Sequence, residues 1–199
     1  MTYARIAVAL LVMIPQVSQL VVATADPVVI KIVAATARQV EHAEWALTRF
    51  EAAGLELPSL TIVFHDDYQS CGMREGVLRI AGENVTIHEC QNDPSRSRRS
   101  LLHELAHAWD HVAGSIDADT RTDFLTLRGL RSWDDDDLPW NQRGEEQTAE
   151  IIAWGLMHQP APIPTSVGDH GAQDSVSLAT AFILLTGIRP LFGDTERIF

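Results

Sequence analysis

The stretch His103-Glu104-Leu105-Ala106-His107 governs the reading of this chain. On a helix, residues four apart project about 40° from one another around the axis, so both imidazoles leave on one face. Two such imidazoles can share one Zn²⁺. Glu104, about 60° from His107, lies on the adjoining flank within reach of a water on the metal. Zinc lowers the pKa of that water from about 15.7 toward about 7, which makes a hydroxide-like nucleophile accessible near neutral pH. Glu104 is then placed to take the proton as the water attacks a carbonyl, and to pass it to the leaving amine. The pattern points to a zinc-dependent peptide hydrolase with Glu104 as general base.

The flanking residues agree with a helix. Leu102, Leu105, Ala106, Trp109, Val112 and Ala113 recur at helical spacing, Asp93-Pro94 reads as an N-cap followed by a first-turn proline, and Gly114 as a C-cap. The spacing predicts a helix over roughly 94–113. Arg96, Arg98 and Arg99 run against this reading, because the helix dipole disfavours positive charge in the early turns.

Catalytic zinc sites ordinarily carry three protein ligands and a water. The position six after His107, where a metzincin has its third histidine, is Ala113. His111 follows His107 by one turn and is expected to pair with a carboxylate or line the cleft, since as a ligand it would crowd its own helix. The better source is Glu145-Glu146-Gln147-Thr148-Ala149-Glu150, opening a helix over about 144–158 between Gly144 and Pro160. Glu146 and Glu150 share a face, so one can bind the metal while the other accepts the free N–H of a ligating histidine. Glu146 is preferred to Glu145 as ligand because of its spacing to Glu150. A solvated acidic face near a helix N-terminus is the alternative.

The succession HELAHAWD, some forty residues, then EEQTAEIIAWG resembles the gluzincin clan, most closely the minigluzincin-type peptidases and the catalytic domain of anthrax lethal factor. The resemblance covers roughly residues 97–157 and implies His103, His107 and Glu146 as zinc ligands, Glu104 as base and Glu150 as support for a ligand. It also implies an α+β, zincin-like fold: a small mixed or antiparallel sheet packed against the active-site helix and the third-ligand helix. The sequence departs from lethal factor in one respect. That domain carries a tyrosine shortly before the third ligand, thought to stabilise the oxyanion, whereas here the region is Leu138-Pro139-Trp140-Asn141-Gln142-Arg143. The Trp140 indole or Arg143 can stand in, or the metal alone can suffice. A non-catalytic zinc-binding protein on the same fold, or an effector that cleaves one dedicated partner, is the alternative.

Residues 1–25 read as a signal peptide. Arg5 precedes the apolar run Ile6 to Ile14, and Ala23-Thr24-Ala25 is an A-x-A cleavage signal. Pro15, Gln16, Ser18 and Gln19 interrupt the run, which argues against a membrane span of about 20 apolar residues. Residues 26–199 then form a single domain, secreted to the extracellular space and expected to be a monomer. The formal net charge is −12, and losing Arg5 with the leader makes it more negative still. Nucleic acid is therefore excluded as a partner. Cys71 and Cys90 suggest one disulfide in an exported chain, worth about 3 kcal/mol on chain-entropy grounds; a pair of metal thiolates is the alternative.

Elsewhere, Val29, Ile32, Val33, Ala37, Val40, Ala43, Leu47 and Phe50 predict one long amphipathic helix over 27–53, with Thr36 as a polar interruption. Strands are expected over 59–65, 76–80 and 84–88, and further helices near 117–130 and 175–186. The strand beside the active-site helix should recognise an extended peptide or protein substrate by main-chain pairing. Residues 84–88 are the first candidate for that edge and 76–80 the second, which would place His88 in the cleft touching substrate. Asp134–Asp137 reads as a solvated acidic loop rather than a Ca²⁺ site, and His65-Asp66-Asp67 as ordinary loop. His158 and His170 are minor candidates for a transition-state donor.

Overall fold

A computed structural model describes residues 7–10, 20–23, 28–157 and 174–191. In chain order its strands are β1 (Ala7–Leu10), β2 (Leu20–Ala23), β3 (Ile30–Val33), β4 (Leu60–Phe64), β5 (Gly76–Ala81) and β6 (Asn84–Glu89). Its helices are α1 (Ala37–Ala53), α2 (Pro94–His111), α3 (Ala118–Arg128), α4 (Gly144–Leu156) and α5 (Ser175–Thr186). His158, His170 and most of the expected leader with its cleavage signal lie outside the described residues.

Period-two burial builds the sheet. Leu60, Ile62 and Phe64 of β4 and Val85, Ile87 and Glu89 of β6 point into the core, with their neighbours on the opposite face. β3, β4 and β6 run parallel and β5 returns antiparallel beside β6, giving a four-stranded mixed sheet in the order β3-β4-β6-β5. The antiparallel pair β1–β2 joins the far edge through Val22 against Ile30. The architecture is α+β and the sheet is mixed. Among the described residues no helix is long and apolar enough to cross a membrane.

Two expectations need correction. The long helix over 27–53 is in fact a strand and a shorter helix. Ile30–Val33 pairs in parallel with β4, and the helix starts only after Thr36. Thr36 is not an interruption but the N-cap: its hydroxyl accepts from the Gln39 amide while the Gln39 side chain accepts from the Thr36 amide. The edge is also assigned to the other strand. β6 lies inside the sheet between β4 and β5, so among the described residues β5 is the edge strand.

The helices close over the sheet through a few specific contacts. Leu101, Leu102, Leu105 and Ala108 of α2 are fully buried, as are Ile151, Ile152 and Leu156 of α4. Trp109 and Trp154 belong to the same core. Gly155 admits α5 at close range, because a Cβ there would lie 2.1 Å from the Phe182 ring. Arg49 of α1 donates to the Leu156 carbonyl at 2.6 Å, satisfying an acceptor at the C-terminal end of α4, and to the Leu191 carbonyl beyond α5 at 3.1 Å. The arginines that oppose the α2 dipole each have a compensating partner: Arg96 pairs with Glu75, Arg98 lies 5.0 Å over the Trp45 ring, and Arg99 pairs with Glu150.

Cys71 and Cys90 form a disulfide, and neither cysteine is free. The bridge fastens the turn before β5 to the end of β6, beside a 2.7 Å hydrogen bond from the Cys90 amide to the Glu75 carbonyl. Replacing both cysteines with serine is expected to lower stability by about 3 kcal/mol in urea unfolding. Alkylation should label neither thiol until the protein is reduced.

Candidate metal centre

Helical geometry on α2 and α4 brings three donor atoms together. His103 Nε2 and His107 Nε2 lie 3.0 Å apart, and each is 3.1 Å from Glu146 Oε2 in the first turn of α4. Among the described residues this is the group of three His, Cys, Asp or Glu side chains whose donor atoms converge. Donors around a tetrahedral ion at about 2.0–2.1 Å lie roughly 3.3 Å from one another, so the triangle suits a small divalent metal with slight opening. Two imidazoles and a carboxylate can hold such an ion and leave one position free.

Glu150, one turn beyond Glu146, is buried and uses both oxygens on α2. Oε1 lies 3.1 Å from His103 Nδ1, an ion-pair separation off the line of an ideal hydrogen bond. Oε2 accepts from Arg99 Nε at 3.1 Å and from its terminal nitrogen. Glu150 thus orients the His103 ring and is itself held by Arg99, a contact that sequence reasoning missed. The signal for it was the apparently misplaced arginine at the start of α2.

Without a metal, protons hold this cluster together. Burial opposes charge on His103, but the carboxylates of Glu146, which accepts from its ring, and Glu150, 3.1 Å from Nδ1, outweigh it and push its pKa up to about 10. Burial raises the Glu146 and Glu150 carboxyls, and the hydrogen bonds to histidine overcome it, drawing both well below the usual carboxylate range.

The donors open into a cleft of about 530 Å³. One wall is α2, with Glu104 and His111. The other is the helix-facing side of β5, with Gly76, Leu78 and Ile80. Trp140 stacks on His103 at a centroid distance of 5.7 Å. Gly76 is required by packing, since a Cβ there would lie 2.7 Å from Glu104 Cγ and 3.1 Å from Ser100 Oγ. Opposite Gly76 in the ladder stands Glu89, a buried acid on the same face. Burial pushes its pKa well above the carboxylate range, against hydrogen bonds from Ser100 Oγ at 2.8 Å and the Gln91 amide at 3.2 Å. Gly76, Ser100 and Glu89 were not singled out in the sequence. They are assembled by strand pairing, which no local motif reveals.

The remaining candidates fall as follows. His88 is not at the cleft: alternation along β6 turns Glu89 to the helices and His88 to the opposite face, where it meets His65 at 2.8 Å. His111 pairs with Glu145 at 3.2 Å and lines the cleft beside the donor triangle. Arg143 is engaged by Asp136 and the Leu138 carbonyl and does not line the cleft, which leaves Trp140 as the residue of that segment facing it. Asp134–Asp137 makes no converging metal group.

No family model, curated protein or solved structure matches this chain.

Glu146→Ala should abolish stoichiometric metal binding, while Glu150→Ala should weaken it by about 10–100-fold, both read by elemental analysis and competition with a chelator. The reverse outcome would exchange the two roles. Proton linkage gives a second expectation. The folded pKa of His103 is raised, so its contribution to the stability of the metal-free protein is complete below about pH 6.5 and lost as pH rises through about 10. Metal must displace that proton. Apparent zinc affinity should therefore rise from pH 5.5 to 7.5, with release of about one proton per ion near neutrality, measured by calorimetry in buffers of different ionisation enthalpy.

Proposed function

We propose that the protein is a zinc metallopeptidase that hydrolyses peptide bonds in extended peptide or protein substrates. The observation supporting this most strongly is the coincidence of the His103, His107 and Glu146 donor triangle with Glu104 and an unpaired strand edge around one cleft. A gluzincin-type relationship is the family reading that accords with the order of motifs.

The donor set, two imidazoles and one carboxylate with one position open, is that of catalytic zinc rather than of calcium or magnesium, which prefer oxygen ligands. An ion held by His103, His107 and Glu146 would supply Lewis acidity toward a carbonyl oxygen and lower the pKa of water. Glu104, lining the same cleft, is the carboxylate placed to take a proton from water and return it to the amine leaving group. Gly76 holds β5 against the Glu104 side chain and limits its rotamers. The free edge of β5 offers main-chain groups to an extended substrate, with Leu78 and Ile80 as apolar contacts on the helix-facing side. Trp140 and His111 are cleft residues with N–H groups that can donate to the oxyanion in place of a tyrosine.

The Cys71–Cys90 bridge fits an oxidising compartment, and the pattern of residues 1–25 fits export through a signal peptide cleaved after Ala25. Cleavage would remove β1 and β2 and leave β3 as the outer edge of the sheet.

The alternative, a zinc-binding protein without turnover or one restricted to a single partner, draws on the absence of a tyrosine near residue 140 and on the engagement of Arg143 elsewhere. Glu104→Ala separates the readings. It should retain stoichiometric zinc and lose at least about 10²-fold in kcat against a diverse peptide library. Equal and negligible cleavage by the parent and the variant would establish the non-catalytic reading.

A further inference from the structure

The face of the sheet turned away from α2 carries two histidines that the metal cleft does not use. Alternation along β4 and β6 brings Thr61, Val63, Thr86 and His88 to this face. In the ladder His88 stands between Val63 of β4 and Val77 of β5, so its ring is set in an apolar row. His65 comes two residues after Val63 and is therefore the diagonal neighbour of His88. Its amide donates to the Glu89 carbonyl at 2.9 Å, which carries the pairing past the end of β4. Its Nε2 lies 2.8 Å from His88 Nδ1.

The two rings meet head-on. They lie 22° from a common plane, with centroids 5.1 Å apart. That separation exceeds the nitrogen–nitrogen distance by the centre-to-nitrogen radius of both rings together, so the two nitrogens sit on the line joining the centroids. Nitrogens that chelate an ion converge on a point to one side instead. His103 and His107 do so: their nitrogens are 3.0 Å apart, yet their centroids are only 4.7 Å apart and the rings are crossed. His65 and His88 thus share a proton in an N–H···N hydrogen bond, in which one nitrogen donates and the other must be bare.

A second proton on the pair removes that acceptor and places two imidazolium charges side by side. The surroundings do not offset them. On β5, Arg79 shares the face; after burial, it and His65 lower the pKa of His88. On β3, the exposed Lys31 belongs to the same face. The acids in the loop after β4 are Asp66 and Asp67, both exposed. Asp67 bears on His65, but its carboxylate is engaged by the Ser70 amide at 2.9 Å. The turn at Gln69–Cys71 adds no ionisable group, since Cys71 is in the disulfide, and α2 lies on the other face.

We propose that His65 and His88 form an acid-sensitive fastening: holding one bridging proton they tie the chain leaving β4 to β6, and on taking a second they part. The fastening lies at the root of residues 65–75, which carry the disulfide turn and enter β5, the strand wall of the cleft. The native fold favours the neutral His88 ring. Its contribution to stability is therefore complete above about pH 6.5 and lost as pH falls.

The test follows the ring nitrogens of the full chain by long-range ¹H–¹⁵N correlation from about pH 8 to about pH 4.5, beside amide exchange and urea unfolding at both ends of that range. In the parent, the facing nitrogens should read as one protonated and one bare near neutrality, and the pair should titrate in two separated steps. Protection of amides 66–70 should fall at least about threefold once the second proton is on. In His65→Leu or His88→Leu the remaining ring should titrate in a single step. The double variant should lose less urea midpoint than the two single variants summed near neutrality, and this coupling should vanish in acid. Comparing variants at one pH cancels the other histidines. Independent single-step titration of both rings in the parent overturns the proposal, as does a coupling equal at both pH values. Stoichiometric Zn²⁺ shifting these ring nitrogens in Glu146→Ala would also overturn it, since the pair would then be a chelate.

Discussion

Two carboxylates buried between helices must be matched or the helices cannot meet. Glu146 and Glu150 are carried by α4 into the face of α2, where an unpaired charge would cost several kcal/mol. His103, His107 and Arg99 provide the match, and they do so only when the two helices share one register. The polar cluster therefore specifies the packing that the apolar residues Leu101, Leu105, Ile151 and Ile152 stabilise without directing. A divalent cation fits the same logic, since it replaces protons that otherwise neutralise the cluster.

The cleft inherits its shape from that pairing. With α2 fixed against α4, its Glu104 flank turns toward β5, and the strand approaches closely because position 76 has no side chain. Behind this contact lies Glu89, whose pKa burial pushes well above the usual carboxylate range, with Ser100 donating to it from α2. The surroundings of Glu104 are thus made by three separate segments: the edge strand, the end of its neighbour and the preceding turn of its own helix. The disulfide ties the first two together just outside the site.

The chemistry-bearing residues were more legible in the sequence than the sheet. His103, His107, Glu146 and Glu150 announce themselves because helical spacing is local, and the structure brings them to one place. Edge and centre are not local properties: 76–80 and 84–88 read alike until β4 pairs with β6 and leaves β5 outside. His88 was assigned to the cleft through that misplacement, and the pleat then turned it away. The error over 27–53 has a different origin. Ile30-Lys31-Ile32-Val33 is too short for its period to be told from a helix, and Val29, Ile32 and Val33 happen to extend the stripe of α1. The T-x-x-Q of Thr36 and Gln39 marks the true start and is readable as a capping box. Gly76 and Glu89 carry no such mark, since each acquires its meaning from a partner on another element.

The third donor comes late. Between His107 and Glu146 the chain makes α3 and a turn, and it is pinned on the way by Asp110 with Arg121 and by Arg128 with Gln147. A nascent chain that has finished α2 displays two imidazoles with no carboxylate to complete them, so it holds an ion weakly. Firm capture would wait for α4 to dock, so an ion held by this triangle would report that the last helix pair has closed.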